Sequence, residues 1–324
     1  MSNSTTVILT AYKDDAVACA VGASIAGDQA RVDLQLIDPS ELIGMELADD
    51  VVLVIGDTSL NLIERSDLSE CMPGFVQFLG CRPLIGLVSK LQGDYSTVAG
   101  ISPVIAPRVA KRVTGFSRVF TVRDQVESPV WGLVGLGFTG SVVARNLVDA
   151  GSRVTVADVR TPRSGLLTDL GVKRLTLDLL LTGADVVSLH IQQGPTASPL
   201  VGPRELTLMK SGATLINTSH SSIVDESAVI DALQAGRLGG YATDCPGDAV
   251  AEASQSLATS GKLVVTTNAL TNQIGASQQI AQFVNDNIKL YIDGRNISGA
   301  IELVDFPNTG DPSFWTSRMS PRQD

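Results

Sequence analysis

Residues 130–158 read VWGLVGLGFTGSVVARNLVDAGSRVTVAD, and their punctuation decides the fold. The apolar run Val130–Val134 reads as a buried strand, and it enters Gly135-Leu136-Gly137-Phe138-Thr139-Gly140. A helix containing Ser141–Ala150, over about 139–150, follows, then a second strand, Val154–Ala157, ending at Asp158. In such a unit Gly135 permits a tight turn and Gly137 lets the backbone, through Phe138 and Thr139, approach a pyrophosphate. Gly140 lets the helix pack close to the strand, and the helix N-terminus offers amides and a favourable dipole. A carboxylate about 20 residues on accepts hydrogen bonds from ribose hydroxyls and repels a 2′-phosphate. Asp158 therefore points to NAD over NADP, with Arg160 and Arg163 close enough in sequence to soften that preference.

The same alternation extends in both directions. Upstream, strands are expected at Val7–Thr10, Val32–Ile37, Val51–Ile55, Phe75–Leu79 and Leu84–Val88, with a helix over Ala16–Ala26. Downstream, strands at Val186–Ile191, Thr214–Asn217, Gly240–Thr243 and Leu263–Thr266 alternate with helices near 203–210, 225–236 and 275–293. A helix over Pro103–Val122 joins the two series. Continuous apolar strands separated by helices imply parallel sheets covered on both faces, hence an α/β chain of two domains. A chain of 324 residues has the length for two.

Composition narrows the class. Apolar residues make up 44% of the chain, enough for packed cores, and the net charge of −10 disfavours nucleic acid and anionic membranes as partners. No apolar run reaches the ~20 residues of a membrane span, and the first residues lack a signal-peptide pattern, so a cytoplasmic protein is expected. Cys19, Cys71, Cys81 and Cys245 lack paired spacing, which suits a reducing compartment and leaves no metal site to propose.

From about Val130 to Gly294 the chain resembles the D-isomer-specific 2-hydroxyacid dehydrogenases. The resemblance lies in GLVGLGFTG (132–140), ADVVSLHI (184–191), ELTLMKSGATLINTS (205–219) and IVDESAVIDALQAGRLGGYATD (223–244), in family order and spacing. It implies a Rossmann-type doubly wound domain, 103–294, inserted in a smaller flavodoxin-like substrate domain built from 1–102 and completed by 295–324. It also implies a cleft, a homodimer, and hydride transfer between NAD(H) and a small anionic 2-hydroxy or 2-oxo acid. His190, Thr218 and Asp244 join Gly135, Gly137, Phe138, Thr139, Gly140 and Asp158 as expected cofactor contacts.

At the family's catalytic positions the chain departs from the pattern. Such enzymes use an arginine to hold the carboxylate and a glutamate–histidine pair to exchange the hydroxyl proton. Here His220 stands in the arginine's place, Ala249 in the glutamate's with Asp248 beside it, and Asn268 in the histidine's. His220 becomes the candidate acid–base group or anion contact, since an imidazole titrates near pH 6.5. Asn268 becomes an orienter of the reacting oxygen, and Arg82 a bidentate partner for substrate carboxylate. The alternatives at these positions are a space-filling histidine and an exposed arginine. Arg108 reads as a helix-surface charge, Cys245 as a small apolar residue, and Asp225 as a helix cap. The altered triad leaves a second function open: an NAD(H)-binding protein without dehydrogenase chemistry, either a redox sensor or partner protein or a lyase or isomerase using bound NAD.

Overall fold

The computed structural model describes residues 4–27, 31–59, 62–63, 73–80, 97–124, 128–159, 165–191, 199–258, 260–266 and 275–301. Contacts divide the chain into two units. The first holds the described residues up to Ile105 together with 275–301, and the second holds those from Ala106 to Thr266.

In the first unit, β1 (Thr5–Thr10), β2 (Val32–Ile37), β3 (Val52–Ile55), β4 (Phe75–Phe78) and β5 (Thr97–Ala99) form one sheet in the order β2-β1-β3-β4-β5. Every pairing is parallel. All four residues of β3 and of β4 are buried, as a central parallel strand covered on both faces requires. Helix α1 (Ala16–Ala26) begins at Asp15, whose Oδ1 accepts from the amides of Val17 and Ala18 at 3.1 and 2.9 Å. Its partner is the C-terminal helix Ala276–Ile292. That helix is tied in by a buried amide chain: Asn287 Nδ2 donates to Gln77 Oε1 at 2.8 Å, and Gln77 Nε2 donates to Ala99 O at 3.3 Å. This packing places the C-terminal helix in the first unit, whereas the expected boundary at 294 grouped it with the second.

The second unit begins within α2 (Ser102–Asp124) and contains β6 (Val130–Val134), α3 (Phe138–Asp149), β7 (Arg153–Ala157), α4 (Leu166–Leu170) and β8 (Lys173–Arg174). It continues with α5 (Leu177–Gly183), β9 (Val186–Leu189), α6 (Pro203–Leu208), β10 (Thr214–Asn217), α7 (Glu226–Gln234), β11 (Gly240–Thr243), α8 (Asp248–Ala258) and β12 (Leu263–Val265). The C-terminal helix of the first unit is then α9. The second sheet runs β12-β11-β10-β9-β6-β7-β8, all parallel. Counted from β6 this is 7-6-5-4-1-2-3, the Rossmann order extended by one strand, with its switch point between β6 and β9. Buried Leu177, Leu180, Val187, Leu215, Val229, Leu233 and Tyr241 fill the core under α5 to α7.

The expected strands and helices thus appear within a residue or two, except Leu84–Val88, which lies outside the described residues. Strands β5 and β8 and helices α4, α5 and α8 were not anticipated.

Candidate functional site

Both α/β sheets present their loops at the carboxyl ends of their strands, and in the second unit the loop after β6 meets the switch point. Gly135 has φ +97°, and a Cβ there would stand 2.3 Å from His190 O in the adjoining strand end, so only glycine fits. A Cβ on Gly140 would meet Gly135 O at 2.1 Å, which is the close helix–strand approach expected of the third glycine. Gly137 is the N-cap of α3 and supplies no side chain to its first amides. Phe138 is 54% exposed beside them. The Leu136 amide donates to Asp158 Oδ2 at 2.6 Å, so the carboxylate at the end of β7 sits against the loop itself. Arg174 Nη2 donates to the backbone Asp158 O at 2.7 Å. Arg160 and Arg163 are outside the described residues.

His190 follows β9 at the switch point. Its amide donates to Val134 O at 2.7 Å and its Nε2 lies 3.0 Å from Ser188 Oγ. Desolvation of the ring pushes its pKa down to about 4, so it is neutral at ordinary pH and no anion-binding cation.

The turn after β10 is built by Asn217, which is fully buried. Its Nδ2 donates to His220 O at 2.8 Å, and its Oδ1 accepts from the Ser219 amide at 3.0 Å. Ser219 Oγ donates to Leu189 O at 2.8 Å, fastening the turn to β9. His220 then caps a short 3-10 turn, Ser221–Ile223. Its Nδ1 accepts the Ser222 amide at 3.1 Å and lies 2.8 Å from Ser222 Oγ. A backbone N–H only donates, so Nδ1 carries the lone pair and the neutral ring holds its proton on Nε2.

After β11 comes Asp244, whose Oδ2 accepts from Arg112 Nη1 of α2 at 2.9 Å. Both side chains are nearly enclosed, with 10% and 9% exposure. Cys245 is half-buried; its amide donates to Thr243 Oγ1 at 3.1 Å and its Sγ lies 3.7 Å from Asn217 O. The far end of this loop is held by Glu226, the first residue of α7. Both its carboxylate oxygens accept the Gly247 amide at 3.0 Å, and Oε2 also accepts Val250 at 3.4 Å. Glu226 therefore caps α8 from another helix. Burial pushes its carboxyl up, and the amides of Gly247 and Val250 pull partly the other way. Asp225 caps α7 through the Ala228 amide at 3.0 Å, as expected.

Two buried hydroxyls, Thr218 Oγ1 after β10 and Thr266 Oγ1 after β12, have no hydrogen-bond partner among the described residues. Orphaned hydroxyls at the carboxyl ends of strands, beside a glycine cradle that a Cβ would fill, fit a dinucleotide laid across this edge. The structure thus brings Gly135, Gly137, Gly140, Asp158 and His190 together around one loop. Thr218 and His220 share the next strand end, and Asp244 follows at β11. Arg82 and Asn268 lie outside the described residues. Arg112 and Glu226 were not read as site residues from sequence. Among the described residues no cluster of three or more His, Cys, Asp or Glu side chains is arranged to hold a metal, and no helix is long and apolar enough to cross a membrane.

Residues 105–268 match the model of the family described as D-isomer specific 2-hydroxyacid dehydrogenase, NAD binding domain. A glycerate dehydrogenase from Methylorubrum extorquens is 30% identical over 166 residues, which cover 51% of this chain and 50% of that protein. The D-3-phosphoglycerate dehydrogenase of Escherichia coli is 32% identical over 193 residues, covering 58% and 45%. The chain thus spans about half the length of these curated relatives. Among solved structures, a D-lactate dehydrogenase from Aquifex aeolicus, complexed with NAD and lactic acid, superposes with a TM-score of 0.63 at 18% identity. It covers 89% of this chain and 96% of its own, a likeness of fold.

Proposed function

The chain belongs to the D-isomer-specific 2-hydroxyacid dehydrogenase family and has that family's NAD-binding domain; from this premise we propose that it is an NAD-dependent oxidoreductase acting on a small anionic 2-hydroxy or 2-oxo acid. The observation behind this is the Gly135–Gly140 cradle with Asp158 at its rim and the orphaned Thr218 and Thr266 hydroxyls along the same sheet edge. The curated relatives named above are dehydrogenases.

In this reading the α3 amides and Gly137 hold the pyrophosphate and Asp158 takes the adenosine ribose hydroxyls. NAD(H), when bound, supplies or accepts the hydride. The chain has to orient the substrate oxygen and manage its proton, because the hydroxyl proton leaves as the hydride does. His220 meets the first need as a neutral Nε2–H donor. Proton exchange at Nδ1 requires the Ser222 amide to let go, opening the 3-10 turn. We assign His220 to orientation of the reacting oxygen, and Asn268, which lies outside the described residues, to the same task.

The test follows NADH absorbance with a panel of 2-oxo acids, comparing the parent with His220→Ala. The parent should turn over at least one acid, and the variant should lose about 100-fold in kcat, the usual cost of deleting a positioned donor. Equal turnover removes His220 from the mechanism. The replaced catalytic positions favour one competing reading, a dinucleotide-binding protein without dehydrogenase chemistry; it prevails if the parent binds NADH and no acid in the panel consumes it.

A further inference from the structure

Helix α8 starts without a cap of its own. Gly247 precedes it and has no side chain to offer, so Glu226, nearly enclosed on α7, supplies the acceptor instead. A helix start is ordinarily served by one local residue, a Ser, Thr, Asp or Asn. The packing shows why none fits here. A Cβ on Gly247 would stand 2.7 Å from Glu226 Oε2 and 3.3 Å from Ser221 Cβ. A side chain at 247 would therefore push the loop after β11 away from Ser221, the first residue of the turn that His220 caps. A cap brought from another helix is what close contact between that loop and that turn requires.

We propose that Glu226 is a positioning residue for His220: it docks Gly247 against Ser221 and so holds closed the turn that fixes the imidazole. The inference rests on the role given to His220 above and adds the group that enforces it. The turn closes through three amides: Ser222 on His220 Nδ1 at 3.1 Å, Ile223 on His220 O at 3.2 Å, and Val224 on Ser221 O at 3.0 Å. None is shorter than 3.0 Å, and a 3-10 turn has poorer hydrogen-bond geometry than an α-helix. Its shape therefore depends on what backs it.

The loop after β11 does the backing. Gly247 meets the turn at Ser221, and Cys245 Sγ lies 3.7 Å from the carbonyl of Asn217, whose side chain holds His220 O. The loop that Glu226 anchors thus lies against residues on either side of His220 in the sequence. The charge of Glu226, set at the N-terminus of α8, strengthens the grip. Without it the Gly247 amide loses its acceptor, the loop withdraws, and Ser221 loses its support. The Ser222 amide then leaves Nδ1, and the ring is free to turn its Nε2–H away from the reacting oxygen.

Turnover of 2-oxo acids and amide hydrogen exchange are measured on the parent, Glu226→Ala, Glu226→Gln, Gly247→Ala, His220→Ala and the Glu226→Ala/His220→Ala double variant. Glu226→Ala should lower kcat about tenfold, the scale of a misplaced rather than a missing group. In the His220→Ala background the same change should cost less than about twofold, because Glu226 acts through His220. Glu226→Gln keeps one oxygen able to accept both amides, as Oε2 does, and should recover most of the rate. The Ile223 and Val224 amides should exchange at least about tenfold faster in Glu226→Ala, while that of Ala228, capped separately by Asp225, keeps its rate. Gly247→Ala keeps Glu226 and forces the loop off the turn, so it should reproduce both effects; it serves as the comparison if Glu226→Ala does not fold. A kcat loss that persists in full without His220 overturns the proposal. So does unchanged exchange at Ile223 and Val224. A parent that turns over no acid overturns the oxidoreductase reading instead, and the exchange rates still decide whether Glu226 holds the turn.

Discussion

Acidification should destabilise this protein through His190 in particular. The ring sits desolvated at the end of β9, with a pKa near 4 in the folded chain; in the unfolded chain an imidazole titrates near 6.5. Between those values the unfolded state binds a proton that the folded state refuses. Stability therefore falls as the pH drops through this window and levels off below about 4. At roughly 1.4 kcal/mol per pH unit, the full effect is about 3 kcal/mol. The assay is urea unfolding at several pH values between about 7 and 4 for the parent and His190→Gln, the difference cancelling the carboxylates common to both. The chain has only two histidines, so two ring resonances followed by NMR give the site value directly. The variant should lack most of the parent's loss across the window. Parallel stability curves, or two imidazoles both titrating near 6.5, would refute the enclosure of this ring at the switch point.

Gly135→Ala should be among the costliest single changes in the second unit. The αL-side backbone at φ +97° costs an alanine about 1–2 kcal/mol, and a Cβ 2.3 Å from His190 O forces β6 and β9 apart on top of that. Urea unfolding measures the first effect, and NADH titration should show at least about a tenfold loss from displaced loop amides. Glu226→Ala strips the Gly247 and Val250 amides of a buried acceptor, and should cost about 1–3 kcal/mol. Hydrogen exchange should show faster exchange at those two amides, while the α3 amides remain unchanged.

Much of this was legible in the sequence because parallel strands covered on both faces read as unbroken apolar runs. Val186–Leu189 and Thr214–Asn217 are buried at every residue, and their runs announce it. The glycine turn after β6 was equally plain, since glycine at 135 and 140 answers to local backbone and strand–helix contact. Strand β8 is two charged residues and β5 is three residues long, too little for any periodicity to register. Helix α5 had a local sign that went unread, Thr176 accepting the Leu179 amide at 3.3 Å. Helix α8 had none, because its cap is a glutamate 21 residues upstream. Arg112 was illegible for the same reason: its partner is 132 residues away, and only the fold brings a charge on α2 to the end of β11. His220 shows a subtler limit. Its position was read correctly as a strand end, but the Ser222 amide on Nδ1, which decides where its proton sits, is a property of the folded turn.

The central claim is that backbone amides after β6 seat a nicotinamide dinucleotide. Titration calorimetry of the purified chain, stripped of bound nucleotide, with NAD and NADH tests it most directly. One binding site per chain, weakened in Gly135→Ala, is the predicted result. Absence of binding heat for both forms, in a protein whose unfolding profile shows it intact, would contradict it.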